Sequence, residues 1–222
     1  MARRARGRTD APCLAPRRAP GSGEGAGKST QSRLLAETLR ERGLEVVTTR
    51  EPGGTPGAEA IRDLLLDPSG EGWNARAEAL LFAAARADHV ARLIRPALDR
   101  GAWVLCDRFL DSSRAYQGGG SGLVDADILE LHRIGSDGLM PDLTFLIEAP
   151  DAEIEQRLAR RDGGESDRIG GRAAEFHARV RAAFARLAAG EPGRFTRIDG
   201  SGPVETTRAA ILEAVEPLLE RG

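Results

Sequence analysis

Apolar positions along the chain follow two rhythms. Short runs dense in Val, Ile, Leu and Phe, at Glu45–Thr49, Ala102–Asp107, Leu143–Glu148 and Arg194–Asp199, predict strands of four to six residues. Between them apolar residues recur at helical spacing, which predicts helices near 28–42, 57–66, 75–99, 125–137, 151–161, 171–189 and 204–220. Strands alternating with helices imply right-handed βαβ crossovers, and hence a parallel sheet covered on both faces. Residues 1–20 follow neither rhythm. They are rich in Arg, Pro and Ala, and they read as a disordered or mis-read tail ahead of one α/β domain over 21–222.

Composition narrows the class. At 222 residues the chain suits one domain with a full core. Residues 1–20 hold six arginines and one acid, whereas the remainder is acidic, so a globally basic nucleic-acid binder is excluded. No run approaches the length of an apolar membrane span. Cys13 and Cys106, with His89, His132 and His177, are too few and too scattered for a disulfide framework or a structural zinc site; they fit a reducing, cytoplasmic setting. Lys28 is the only lysine among 32 basic residues. A lone lysine in an arginine-biased chain marks a place where a compact ammonium is needed and a planar guanidinium does not fit.

Lys28 stands in Gly23-Glu24-Gly25-Ala26-Gly27-Lys28-Ser29-Thr30, which runs into an amphipathic helix. This is a Walker A loop, with Ser22 where the pattern has its first glycine. Its glycines let backbone N–H groups curl around a β-phosphate, and the helix N-terminus adds positive potential. Residues Ser22, Gly23, Glu24, Gly25, Ala26, Gly27, Lys28, Ser29 and Thr30 are therefore expected to bind ATP, with Lys28 on the β- and γ-phosphates and the Ser29 hydroxyl on Mg²⁺. A GTPase would need an Asn-Lys-x-Asp motif. The chain has one asparagine, Asn74, and its one lysine is already used. A small nucleoside or nucleotide kinase with a three-layer P-loop NTPase fold remains.

The acceptor side is read from strand ends, where ligands gather in doubly wound sheets. The run Ala102–Asp107 ends in Asp107-Arg108, and Glu45–Thr49 ends in Arg50. Asp107 would face the Mg²⁺–phosphate region. Two arginines at strand ends beside a phosphate loop suggest an acceptor that is itself a phosphate.

Three runs then stand in order: Arg50-Glu51-Pro52-Gly53-Gly54-Thr55; Leu81-Phe82-Ala83-Ala84-Ala85-Arg86; and Asp107-Arg108-Phe109 through Ser112 to Ala115-Tyr116-Gln117-Gly118. Together with the phosphate loop they resemble the thymidylate kinase family over roughly residues 21–217. The resemblance implies transfer of the γ-phosphoryl group of ATP to dTMP, with Mg²⁺, in a homodimer. It makes Phe82 the ring that stacks on thymine, Arg86 the side chain at the base edge, Tyr116 the residue that crowds the sugar 2′ position, and Glu24 the acid near the acceptor 3′-hydroxyl. Arg50, Arg108, Ser112, Ser113 and Gln117 join them on the acceptor. Residues 157–171 become a short helical lid that brings arginine to the transferring group, Arg161 first and Arg157 second. Family members usually continue Asp-Arg-Ile-Glu; here Gly170 follows Ile169, so the resemblance does not carry over a lid latch through that acid. A kinase for another nucleoside monophosphate such as dUMP, and a non-catalytic nucleotide-binding regulator, remain the alternatives.

One element is out of place. The strand that feeds a phosphate loop lies centrally and is buried on both faces. Residues 16–21 instead offer Pro16, Arg17, Arg18 and Pro20, so any strand there is expected to be short or irregular and residues 1–15 to pack poorly. A shifted reading frame or a misassigned start before about Gly23 would account for it; with a shifted frame, one of the other two frames should encode an apolar strand.

Overall fold

The computed structural model describes residues 12–16, 27–67, 72–150 and 169–220. In chain order these form β1 (Pro12–Pro16), α1 (Lys28–Glu41), β2 (Val46–Arg50), α2 (Pro56–Leu66), α3 (Ala75–His89), α4 (Arg95–Asp99), β3 (Trp103–Asp107), α5 (Leu110–Ser113), α6 (Asp125–Ser136), β4 (Leu143–Glu148), α7 (Ala174–Gly190), β5 (Phe195–Asp199) and α8 (Val204–Leu219). The strands make one parallel sheet of order β2-β3-β1-β4-β5. The connections leave β1 and β3 in opposite directions, and the crevice at their carboxyl ends is where such sheets bind ligands.

Side chains alternate across the sheet. Trp103 and Leu105 of β3, with Phe145 and Ile147 of β4, join Leu35, Leu39, Ile211 and Val215 beneath α1 and α8. Val104 and Cys106 face the opposite way, into a cluster with Val90, Ile94, Ala97 and Ile128, while Leu146 meets Val180 and Phe184 of α7. Burial on both faces explains why β3 and β4 read as continuous apolar runs. Among the described residues no helix is long and apolar enough to cross a membrane.

The four predicted strands lie within one residue of their expected bounds. Two expectations are corrected. Residues 12–16, read as part of a tail, are the central strand: they pair with β4 from Pro12↔Leu143 to Pro16↔Ile147 and with β3 at Cys13↔Cys106 and Leu14↔Asp107. Both prolines stand at the strand ends, leaving Cys13, Leu14 and Ala15 with N–H groups for the ladder. The helix expected over 75–99 is interrupted by a π-helical turn at Val90–Ile94, just before Pro96, whose ring cannot fit against a regular preceding turn. A second π-helical turn, Arg114–Gly120, continues α5; neither was visible as a helix in the sequence. The helix expected at 151–161 and the lid up to residue 168 lie outside the described residues.

Candidate active site

The start of α1 and the ends of β2 and β3 meet at one place. Gly27, directly before α1, has φ +79°, a left-handed conformation that glycine adopts without the penalty of a Cβ. The first turn of α1 holds no acidic residue, so its positive end is left for an anion. Lys28, the first residue of the helix, is 4% exposed, and its Nζ lies 3.4 Å from Asp107 Oδ1 at the end of β3. The Glu51 N–H donates to the Asp107 carbonyl at 2.9 Å and so ties the ends of β2 and β3 together. Arg108 follows with φ +70°, uncommon and costly for a residue with a side chain. Its guanidinium lies over the Tyr116 ring, 5.2 Å from the centroid.

Between these elements lies a cavity of about 260 Å³. It gathers Lys28, Ser29, Arg50, Phe82, Arg86, Asp107, Arg108, Ser112, Ser113, Tyr116 and Gln117 from positions up to 89 residues apart in sequence. Thr30 is exposed on α1 and is not among the lining residues. Ser22, Gly23, Glu24, Gly25 and Ala26, and the lid residues Arg157 and Arg161, lie outside the described residues. Phe82 is half-buried at the wall, and Arg50 is mostly exposed, paired with Glu59 at 3.0 Å.

Beneath Phe82 the wall is a buried hydrogen-bond chain. Arg86 donates from Nε to Glu51 Oε2 at 2.8 Å and from a terminal nitrogen to Ser113 Oγ at 2.8 Å. It also sits over the Phe109 ring, 5.4 Å from the centroid. Glu51 Oε1 is 3.1 Å from His89 Nδ1, and His89 Nε2 is 2.7 Å from Thr49 Oγ1. Gln117 donates to Glu78 Oε1 at 2.8 Å, and the other Glu78 oxygen accepts from Arg172. Deeper still, Asp111 receives both terminal nitrogens of Arg194, at 2.7 and 2.8 Å. His132 stacks edge-on against Phe109 at 5.6 Å, and burial, helped by the charge of Arg86, pushes its pKa down to about 4.

Sequence reasoning missed Glu51, Pro52, Arg62, Leu66, Phe109, Ile169, Gly170 and His177 as lining residues. Glu51 stands inside the quoted Arg50–Thr55 run, but its partners Arg86 and His89 are 35 and 38 residues away. The available signal was that Arg86 and His89 are i,i+3 on one helix and so share a face.

Two oxygen-bearing side chains suit a hard cation such as Mg²⁺: Asp107, whose Oδ1 is buried without a hydrogen bond among the described residues, and Ser29, which lines the same cavity. Glu51, His89 and Cys106 also bring ligand atoms within 4.8 Å of one another. That trio is satisfied internally: Glu51 by Arg86 and His89, His89 by Thr49, and Cys106 by the Arg108 carbonyl at 2.9 Å.

A parallel sheet of this order, with a lysine at the first turn of the helix after β1 and an acid at the end of β3, defines a P-loop nucleotide kinase. The thymidylate kinase family model matches residues 23–211. The chain is 56% identical over 197 residues to the thymidylate kinase of Rhizorhabdus wittichii, covering 89% of this chain and 95% of that protein. With the enzyme of Chromohalobacter salexigens it shares 50% over 190 residues, 85% and 89% of the two chains. The crystal structure of thymidylate kinase from Ehrlichia chaffeensis superposes with a TM-score of 0.71 at 31% identity, covering 93% of this chain and 97% of that one. The chain belongs to the thymidylate kinase family.

Proposed function

We propose that this protein transfers the γ-phosphoryl group of ATP to the phosphate of dTMP, giving dTDP and ADP. One observation carries the reading: a single cavity holds the phosphate-loop lysine at one end and, at the other, an aromatic face and a buried arginine of the size and polarity that a nucleobase needs. The acceptor oxygen belongs to a phosphate whose second pKa is about 6, so it is ionised at pH 7 and needs no general base. Catalysis is then in-line positioning with neutralisation of the migrating charge. Lys28 meets the β- and γ-phosphates, and Arg50 and Arg108 hold the acceptor phosphate from the two strand ends. Phe82 stacks on thymine and Arg86 meets its edge. Ser112, Ser113 and Gln117 line the same pocket, and Tyr116, its ring 6.2 Å from that of Phe176 and 6.3 Å from that of Phe184, would crowd the sugar 2′ position. Ser29 and Asp107 would hold Mg²⁺, which when bound supplies positive charge to the phosphate oxygens. Residues 22–26 complete the ATP site, and Arg161 or Arg157 arrives from the lid.

A homodimer is part of the proposal. Helices α2, α3 and α6 pack side by side and leave Leu64, Leu80 and Ile134 exposed, which a second copy would cover. Sedimentation at micromolar concentration checks this. A cytoplasmic setting fits the free, buried Cys106.

An acceptor screen tests the function. With ADP release coupled to a spectrophotometric readout, dTMP should give the highest kcat/KM among dTMP, dUMP, dCMP, AMP and GMP. A preference for another monophosphate would reassign the pocket, and ATP binding without acceptor-dependent turnover would make the chain a nucleotide-binding regulator.

A further inference from the structure

We infer that His89 is a positioning residue for acceptor recognition, acting through Glu51 to hold the Arg86 guanidinium at the cavity wall; this rests on the reading of that cavity as the dTMP pocket. His89 is fully buried and does not line the cavity. It stands one helical turn beyond Arg86, and both side chains reach Glu51, which follows β2.

The donor and acceptor inventory fixes the direction of the chain. An ionised carboxylate only accepts, so His89 Nδ1 carries a proton and donates to Glu51 Oε1 at 3.1 Å. In the neutral ring Nε2 then accepts, and the Thr49 hydroxyl donates to it at 2.7 Å. Glu51 Oε2 is left for Arg86 Nε at 2.8 Å. Gly54 closes the arrangement from the other side: a Cβ there would come within 2.5 Å of Thr49 Oγ1 and 2.6 Å of His89 Nε2. With His89 in place the Glu51 carboxylate has one orientation, and the fork of Arg86 has one plane. Without it, Glu51 Oε1 loses its side-chain donor, the carboxylate can turn, and Arg86 presents its remaining donors to the cavity at no fixed angle. Arginine is selective at a base edge only when its fork is held.

Three substitutions separate positioning from packing. His89→Asn keeps an N–H near the Nδ1 position, His89→Gln keeps polar volume but places its amide near Nε2, and His89→Leu fills the space without a donor. The expected result is a KM for dTMP raised about ten-fold by His89→Leu and His89→Gln, and by less than about three-fold by His89→Asn, with the KM for ATP and kcat within two-fold of the unsubstituted enzyme. In an Arg86→Met background, His89→Leu should add nothing further, because its effect passes through Arg86. Additive effects, equal changes in both KM values, or His89→Asn behaving like His89→Gln would overturn the proposal. His89→Asn and His89→Gln keep the comparison available should His89→Leu fail to fold. Failure of the unsubstituted protein to saturate with dTMP, or an unchanged KM for dTMP in Arg86→Met, would instead overturn the pocket assignment, and this inference with it.

Discussion

The two ends of the cavity are finished to different degrees. At the proposed base end, Thr49, His89, Glu51, Arg86 and Ser113 form an unbroken hydrogen-bond chain in which every charged group has a partner inside the protein. At the proposed phosphate end, Asp107 Oδ1 is buried with no hydrogen bond among the described residues, and Lys28 Nζ lies 3.4 Å from it. On the proposed function the difference follows from what each end would hold. A nucleobase is neutral and planar, so its selector has to be rigid before it arrives. Phosphates and their counter-ion carry enough charge to compensate groups that the protein leaves partly unsatisfied. Substitutions at the two ends should therefore fail differently, the first through stability and acceptor affinity, the second through turnover.

The largest effect belongs to the phosphate end. Lys28→Arg keeps the charge but puts a wide fork into a site that is 4% exposed, and turnover should fall by about 10³-fold or more. The melting temperature should stay within a few degrees. Retained turnover within a few-fold would break the comparison.

The base end should respond in stability. Glu51→Ala leaves the Arg86 charge buried without its carboxylate and should cost about 3–5 kcal/mol in urea unfolding. A loss well below 1 kcal/mol would mean that the chain is not the structural half of the site.

Acid should disturb the base end through His132, which lies under Phe109 and so under Arg86. Its pKa is about 4 when folded and about 6.5 when exposed, so the unfolded chain takes up the proton first. The contribution of His132 is fully present above about pH 6.5 and is lost as pH falls toward 4, by up to about 3 kcal/mol. His132→Gln should flatten that part of the stability profile; an unchanged profile would remove His132 from the account.

The smallest effect sharpens the contrast most. Ser112→Ala removes a buried hydroxyl that has no partner among the described residues, so stability should stay level or rise by up to about 1 kcal/mol while the KM for dTMP increases. A destabilised Ser112→Ala protein would show that this hydroxyl is satisfied inside the protein, as the groups of the buried chain are.

How far the sequence could be read depended on the range of the interaction. Strands β2 to β5 were legible because each is a local apolar run, and α1 because Lys28 and its glycines form a local pattern. The first strand was not: Pro12-Cys13-Leu14-Ala15-Pro16 carries no local strand signal, and only pairing with β3 and β4 on both sides makes it one. The π-helical turns were hidden for the same reason, since a widened turn has no periodicity of its own in five to seven residues.

The sequence by itself determined the parallel α/β class and the phosphate-loop lysine, because both rest on local patterns; Arg50, Asp107 and Arg108 are legible as strand-end residues, whereas Phe82, Arg86 and Tyr116 gain their expected roles only from the resemblance to the thymidylate kinase family. Only the tertiary structure decided which of them are tied and which are open. Glu51 can meet Arg86 and His89 only when β2 lies beside α3, and Asp107 can meet Lys28 only when β3 lies near the start of α1. Hydrogen bonds act over about 3 Å, and the chain brings such distant groups within that range only through packing.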